Sequence, residues 1–179
     1  MIELDYTLQE NDFLEFQLYF FKSEGKFKSI LLKTWMVFMM FVGVFIGFSI
    51  WKNLFFEAAV VAVMSIIVSF IHPWRMRRTY KKILKKDCKV FESRLNTPFH
   101  LLVDENQFHI KSILGDTNLN RNQLAKIVET GTHFFVKFKL EAVIIPKSGL
   151  SQIEQLRADL KQVALTNQIE YKEDLNWKW

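Results

Sequence analysis

Four histidines, one cysteine and a scatter of carboxylates are the residues with which this chain could do chemistry. His72, His100, His109 and His133 lack ligand-like spacing and have no cysteine partner, so a metal centre is not expected. His100 and His109 flank a turn at 104–106 and could be cross-strand neighbours, although solvated strand positions explain them better. Asp104 and Glu105 are adjacent turn residues, whereas an acid–base pair needs two roles held apart in a cleft. Cys88 falls on an apolar helical stripe, which suits a buried, inert thiol. A single cysteine also excludes an intramolecular disulfide and fits a reducing compartment. Glu57 is an acid within an apolar run, but it lies a turn from the end of that run and reads as a solvated flank. No glycine-rich phosphate loop, nucleophile elbow or zinc-protease helix occurs. The expectation is no catalytic residue, no metal ligand and no cofactor site: a chain that is not an enzyme.

Charge recognition is a different matter. Arg75, Arg77, Arg78, Lys81, Lys82, Lys85, Lys86 and Lys89 form one basic run. Near an anionic lipid surface each such charge is worth about 1 kcal/mol. The net charge of +5 raises the question of nucleic acid, but the surplus is concentrated in this run, and no nucleic-acid partner is expected. Lys111, Arg121, Lys137 and Lys139 are the strand residues that could add headgroup selectivity.

The elements that must position the basic run are two apolar stretches just before it. Residues 34–51 (TWMVFMMFVGVFIGFSIW) carry no charge, and 54–74 carry only Glu57. As helices they reach roughly 27 and 31 Å, close to the roughly 30 Å hydrocarbon core of a bilayer. Neither shows a polar face, and too little chain remains to wrap them in a soluble core. The first begins too far into the chain, with no small-residue cleavage pattern, to read as a signal peptide. Only Lys52 and Asn53 join the two, which predicts an antiparallel hairpin.

Lys22, Lys26, Lys28 and Lys33 precede the hairpin and the basic run follows it, against Lys52 alone at the tip. That asymmetry places both termini in the cytoplasm, in a multi-pass protein of the cell's inner membrane. Trp35, Trp51 and Trp74 sit at span ends, where amphipathic rings prefer the headgroup level. Counting from the tip, Gly43 and Gly47 come level with Ala62 and Ala58. Facing small residues let helix backbones approach closely, so these four are the candidate packing residues.

The flanks are mixed in period. Ile2, Leu4 and Tyr6 alternate as a strand, and Thr7 to Glu10 has capping-box spacing for a phenylalanine-rich helix that packs on the cytosolic domain or lies on the membrane. Met76, Tyr80, Ile83, Leu84, Cys88 and Phe91 continue the second span as a cytosolic helix. From 99 onward, short alternating segments predict an antiparallel meander at 99–103, 107–113, 117–121, 126–130, 133–139 and 142–145. Ser151 to Glu154 then opens a helix with Ile153, Leu156, Leu160, Val163 and Ala164 on one stripe. Pro73, Pro98 and Pro146 are expected at element boundaries.

LDYTLQEND (4–12), the adjacent spans, NQLAKIVE (122–129) and IIPKSGL (144–150) together resemble the bacterial YcxB-like membrane proteins over nearly the full length. Arg121 departs from that pattern, which often has an aromatic residue there. The resemblance implies an α+β membrane protein: a two-helix transmembrane hairpin and a small antiparallel pleckstrin-homology-like β domain capped by a C-terminal helix. The domains are then 1–33 (strand and amphipathic helix), 34–74 (hairpin), 75–97 (basic juxtamembrane helix) and 98–179 (cytosolic domain). The expected function is a non-enzymatic membrane-anchored adaptor whose cytosolic domain binds a protein partner or anionic lipid headgroups. The alternative is a subunit or immunity-type modulator of an integral membrane complex acting through the hairpin. Expected partners are membrane lipids and a second protein or another copy of the chain, with no cofactor.

Overall fold

In the computed structural model, which describes residues 2–88, 95–104, 107–113 and 115–179, the alternating and helical segments separate into strands and helices as their periods dictate. Lys89 of the basic run, Phe91 of its apolar stripe and Glu105 of the 104–106 turn lie outside the described residues. The chain divides into two compact units. One is drawn from residues 1–16 and 87–178, the other from 17–86 with Trp179.

The first unit holds two four-stranded sheets. Strand β1 (Ile2–Thr7) pairs antiparallel with β2 (Pro98–Val103), and β3 (Gln107–Ser112) and β4 (Gly115–Asn120) follow in order. Leu4, Tyr6, Leu101, Val103, Phe108 and Leu119 are buried while their neighbours along each strand are less so, the half-buried alternation read from sequence. The second sheet comprises β5 (Leu124–Thr130), β6 (His133–Phe138), β7 (Ala142–Pro146) and β8 (Glu170–Asp174), in the order β7-β6-β5-β8. Here Ile127–Thr130 and His133–Val136 are buried without alternation, so β5 and β6 are covered on both faces. Helix α4 (Ile153–Thr166) buries Leu156, Leu160, Val163 and Ala164. The ring of Phe16, from the start of α1 (Glu10–Ser23), meets Phe135 edge-on at 5.5 Å. Phe108 and Phe138 join the two sheets, edge to face at 5.4 Å.

The structure departs from the expected antiparallel meander and helix starts in three ways. There are two sheets, and β1 completes the first of them. Strand β8, which no sequence signal announced, pairs parallel with β5. The helix starts also differ: Thr7 ends β1, and it is Gln9 N–H that donates to the Asp12 carboxylate at 2.7 Å, two residues later than the expected capping box. At α4 the N-cap is Gln152 with no side-chain cap bond, and Glu154 pairs instead with Arg157.

In the second unit, α2 (Lys26–Trp51) and α3 (Phe55–Cys88) are each long and apolar enough to cross a membrane. Their junction is a tight helix stop. Leu54 N–H donates to Ser49 C=O at 2.8 Å and Asn53 N–H to Ile50 C=O at 3.0 Å, with Asn53 left-handed at φ 58°. Asparagine tolerates that conformation, which is why two residues suffice between the runs. Pro73 lies inside α3 and not at its boundary. Proline removes one ladder donor, and the remaining turns of a 34-residue helix absorb that loss.

Candidate functional site

Two buried polar clusters lie on opposite faces of the second sheet. The first centres on Glu129 of β5, only 1% exposed. Its carboxylate accepts from Lys147 Nζ at 2.7 Å, Arg157 Nε at 2.9 and 3.1 Å, and Tyr171 Oη at 2.6 Å. Lys147 also donates to Thr130 C=O at 2.6 Å. Burial alone would push the Glu129 carboxyl up; hydrogen bonds from Arg157, Lys147 and Tyr171 outweigh it and hold the group at about 2. Burial and the Glu129 carboxylate together push the Tyr171 phenol well above its ordinary range. The four groups come from β5, the end of β7, α4 and β8, so one carboxylate ties four elements together.

The second cluster centres on His133 of β6, 4% exposed and stacked on Phe135 at 5.4 Å. Its Nε2 lies 3.0 Å from Asp12 Oδ1 and its Nδ1 3.0 Å from Glu15 Oε2, both on α1. Thr132 Oγ1 donates to the same Glu15 oxygen at 2.8 Å. This ties the first turns of α1 to the sheet, the first of the two placements expected for that helix. In both clusters the central group is already committed to its neighbours, an arrangement that locks elements together. Among the described residues no group of three or more His, Cys, Asp or Glu side chains is placed to hold a metal ion.

The other sequence candidates are dispersed. His100 and His109 are not opposite each other: His100 faces Lys111, and His109 faces Leu102. His100 pairs instead with Asp5 at 2.7 Å and Glu3 at 3.2 Å on β1, and His109 with Asn118 at 2.6 Å on β4. Lys111 is in the first sheet, and Lys137 is in the second, opposite Lys126 and Ala142. The Arg121 guanidinium lies 5.9 Å from the Phe108 ring centre, covering apolar surface with its own flat face. Cys88 is fully buried, as its stripe implied.

No protein-family model, curated protein or solved structure matches this chain.

Arg75, Arg77, Arg78, Lys81, Lys82, Lys85 and Lys86 all lie exposed on α3, and Arg78 caps the Trp74 ring at 3.7 Å. Within the hairpin, Ala58, Ala62, Ser65, Ser69, His72, Met76 and Tyr80 recur every three or four residues as the less exposed face of α3. The face of α2 that is covered carries Phe38, Val42, Ile46 and the buried Ser49. Thr34 Oγ1 lies 3.0 Å from His72 Nε2, and Trp35 Nε1 donates to Ser69 Oγ at 3.3 Å. Thr34 already donates to the backbone of α2, so it accepts from His72. Ala58 and Ala62 therefore lie on the seam, but Gly43 and Gly47 do not: a Cβ built at either meets nothing within 4 Å. The physical reason is phase, because the glycines follow the seam positions Val42 and Ile46 by one residue, about 100° around the helix.

A prediction separates these faces. Gly43→Ile with Gly47→Ile should leave intramolecular crosslinking between cysteines at Thr34 and His72 unchanged, whereas Ser65→Ile should reduce it severalfold by overpacking the seam. Loss of the 34–72 crosslink in the glycine variant would return the glycines to the hairpin contact.

Proposed function

We propose that this chain is a YcxB-like, non-enzymatic membrane-anchored adaptor of the cell membrane. The α2–α3 hairpin inserts in the bilayer, and the sheet unit works at the cytoplasmic face, binding a protein partner or anionic headgroups. The observation that carries this reading is the apolar surface that the hairpin leaves uncovered. Phe41, Val44, Phe56 and Phe70 point away from protein, Phe70 at 81% exposure, on helices of membrane-spanning length. The pairing of β1 with β2 supports the even number of crossings, since the two strands flank the hairpin in sequence and belong to one sheet. The basic residues on α3 support the cytoplasmic orientation.

The second reading is a subunit or modulator of an integral membrane complex acting through the hairpin. What favours it is the outward position of Gly43 and Gly47, which leaves a small-residue face open on α2.

Topology is tested by cysteine accessibility in intact cells, with Cys88 buried and silent. Asn53→Cys should label with an impermeant maleimide, while Asn11→Cys and Lys178→Cys should label only after permeabilisation. Labelling of residue 11 or 178 from outside refutes the orientation, and complete extraction of the protein by alkaline carbonate refutes the anchor.

A further inference from the structure

Helix α3 is longer than a bilayer requires. Its 34 residues extend about 51 Å, against about 30 Å of hydrocarbon and about 40–45 Å with both headgroup layers. The apolar part ends at Trp74, and the same helix continues to Cys88. Arg75, Arg77 and Arg78 fall within about 6 Å of Trp74 along the axis, at headgroup depth. Lys81 and Lys82 stand about 10–12 Å beyond it and Lys86 about 18 Å. Even at a tilt of about 40° Lys86 stays about 14 Å out, roughly a Debye length of 8 Å past the headgroup layer. The basic run therefore divides by depth: the arginines can serve the lipid, but the outermost lysine is screened from it.

These lysines are also uncompensated. Lys81, Lys82 and Lys86 are exposed, none makes an ion pair among the described residues, and Asp87 is the one acid in 75–88. None of these lysines shares the face of Tyr80, whose ring packs against Phe21 at 5.0 Å and Phe27 at 6.3 Å. Lys82 and Lys86 stand four residues apart, matching carboxylates at the same interval on a partner helix. Nucleic acid fits less well, because Trp74, the nearest exposed aromatic among the described residues, is already covered by Arg78 and no other of them is available on this face for base stacking.

We propose that Lys81, Lys82 and Lys86 form a docking face for an acidic polypeptide segment of a partner protein, separate in depth from the lipid-facing arginines. This rests on the membrane-anchored reading. The test uses the full chain in nanodiscs and a fluorescent polyglutamate peptide, followed by anisotropy at about 0.15 M salt. In neutral phosphatidylcholine discs, replacing the three lysines by glutamine should weaken peptide binding about tenfold, while the Arg75→Gln, Arg77→Gln, Arg78→Gln variant should lose at most about twofold. The arginine variant should instead lose its preference for phosphatidylserine-containing discs. Equal weakening by both variants, or displacement of the peptide by a single-stranded RNA of the same charge at lower concentration, overturns the proposal. Protein that enters discs but ignores the peptide refutes the docking face alone; protein that fails to enter discs refutes the anchor beneath it.

Discussion

Glu129→Ala should destabilise the sheet unit by about 3 kcal/mol or more, the largest effect expected of any polar substitution in this chain. The cause is what the variant leaves behind. Arg157, Lys147 and Tyr171 all converge on this carboxylate. Without it two cations and a phenol face one another across a nearly closed space. Hydrogen exchange of peptides from β5 and β8 in the micelle-solubilised chain should rise together, since the carboxylate joins those strands to α4. The acid dependence follows from the same contacts. A carboxyl held at about 2 in the folded chain and near 4.5 in the unfolded one binds protons more weakly when folded. Its contribution, about 3 kcal/mol, is complete above the unfolded value and fades as pH falls from about 4.5 through 2. Glu129→Gln should remove that acid-sensitive component, so that the difference in stability between wild type and variant shrinks over this window. A difference that stays constant from pH 6 to 2 would mean the cluster carries no such linkage.

Phe135→Ala should cost about 3–5 kcal/mol, the loss typical of a fully buried aromatic. Its effect should also be directional. The ring stacks on His133 and meets Phe16 edge-on, so its removal strips the apolar support beneath the His133–Asp12–Glu15 contact. Exchange protection of residues 10–16 should fall more than that of β1–β4. Leu165→Ala, at an exposed position of α4, serves as the control and should change stability by no more than about 0.5 kcal/mol. Uniform loss of protection across both sheets in Phe135→Ala would place the ring in the general core rather than in the attachment of α1.

The apolar patterns were the legible part of this chain. Two nearly uncharged runs announced the long helices, and short apolar segments separated by turn residues announced seven of the strands. Partners were not legible. β1 was read as a strand, but nothing local says that its neighbour lies beyond the hairpin. β8 escaped because EYKED is an edge strand with four charged or polar positions and little apolar content. The Glu129 cluster left a faint mark: Arg157 sits one residue from Leu156 and three from Leu160, a charge at the margin of the α4 apolar stripe. Its counterpart was an acid inside KIVET, two residues from Ile127, and nothing local names the cations that pair with it. Along the hairpin, Ala58 and Ala62 fall on the less exposed face of α3, whereas Gly43 and Gly47 follow Val42 and Ile46 by one residue, so helical phase and not residue size decides what is covered.

The pairing of β1 with β2 also sets an order of events during synthesis. Roughly ninety residues separate the two strands, so at about 5–20 residues per second β1 waits several seconds for its partner to leave the ribosome. Closing an unstructured loop of that length would cost about 4 kcal/mol in chain entropy. The intervening segment is not unstructured, however, because the contact between Thr34 and His72 brings the two ends of the apolar runs together. Hairpin formation thus does most of the loop closure before the first sheet can form. Until then β1 is an unsatisfied strand, and where nascent copies crowd together it can pair with the β2 of a neighbour, an exchange that would leave two chains linked by their first strands.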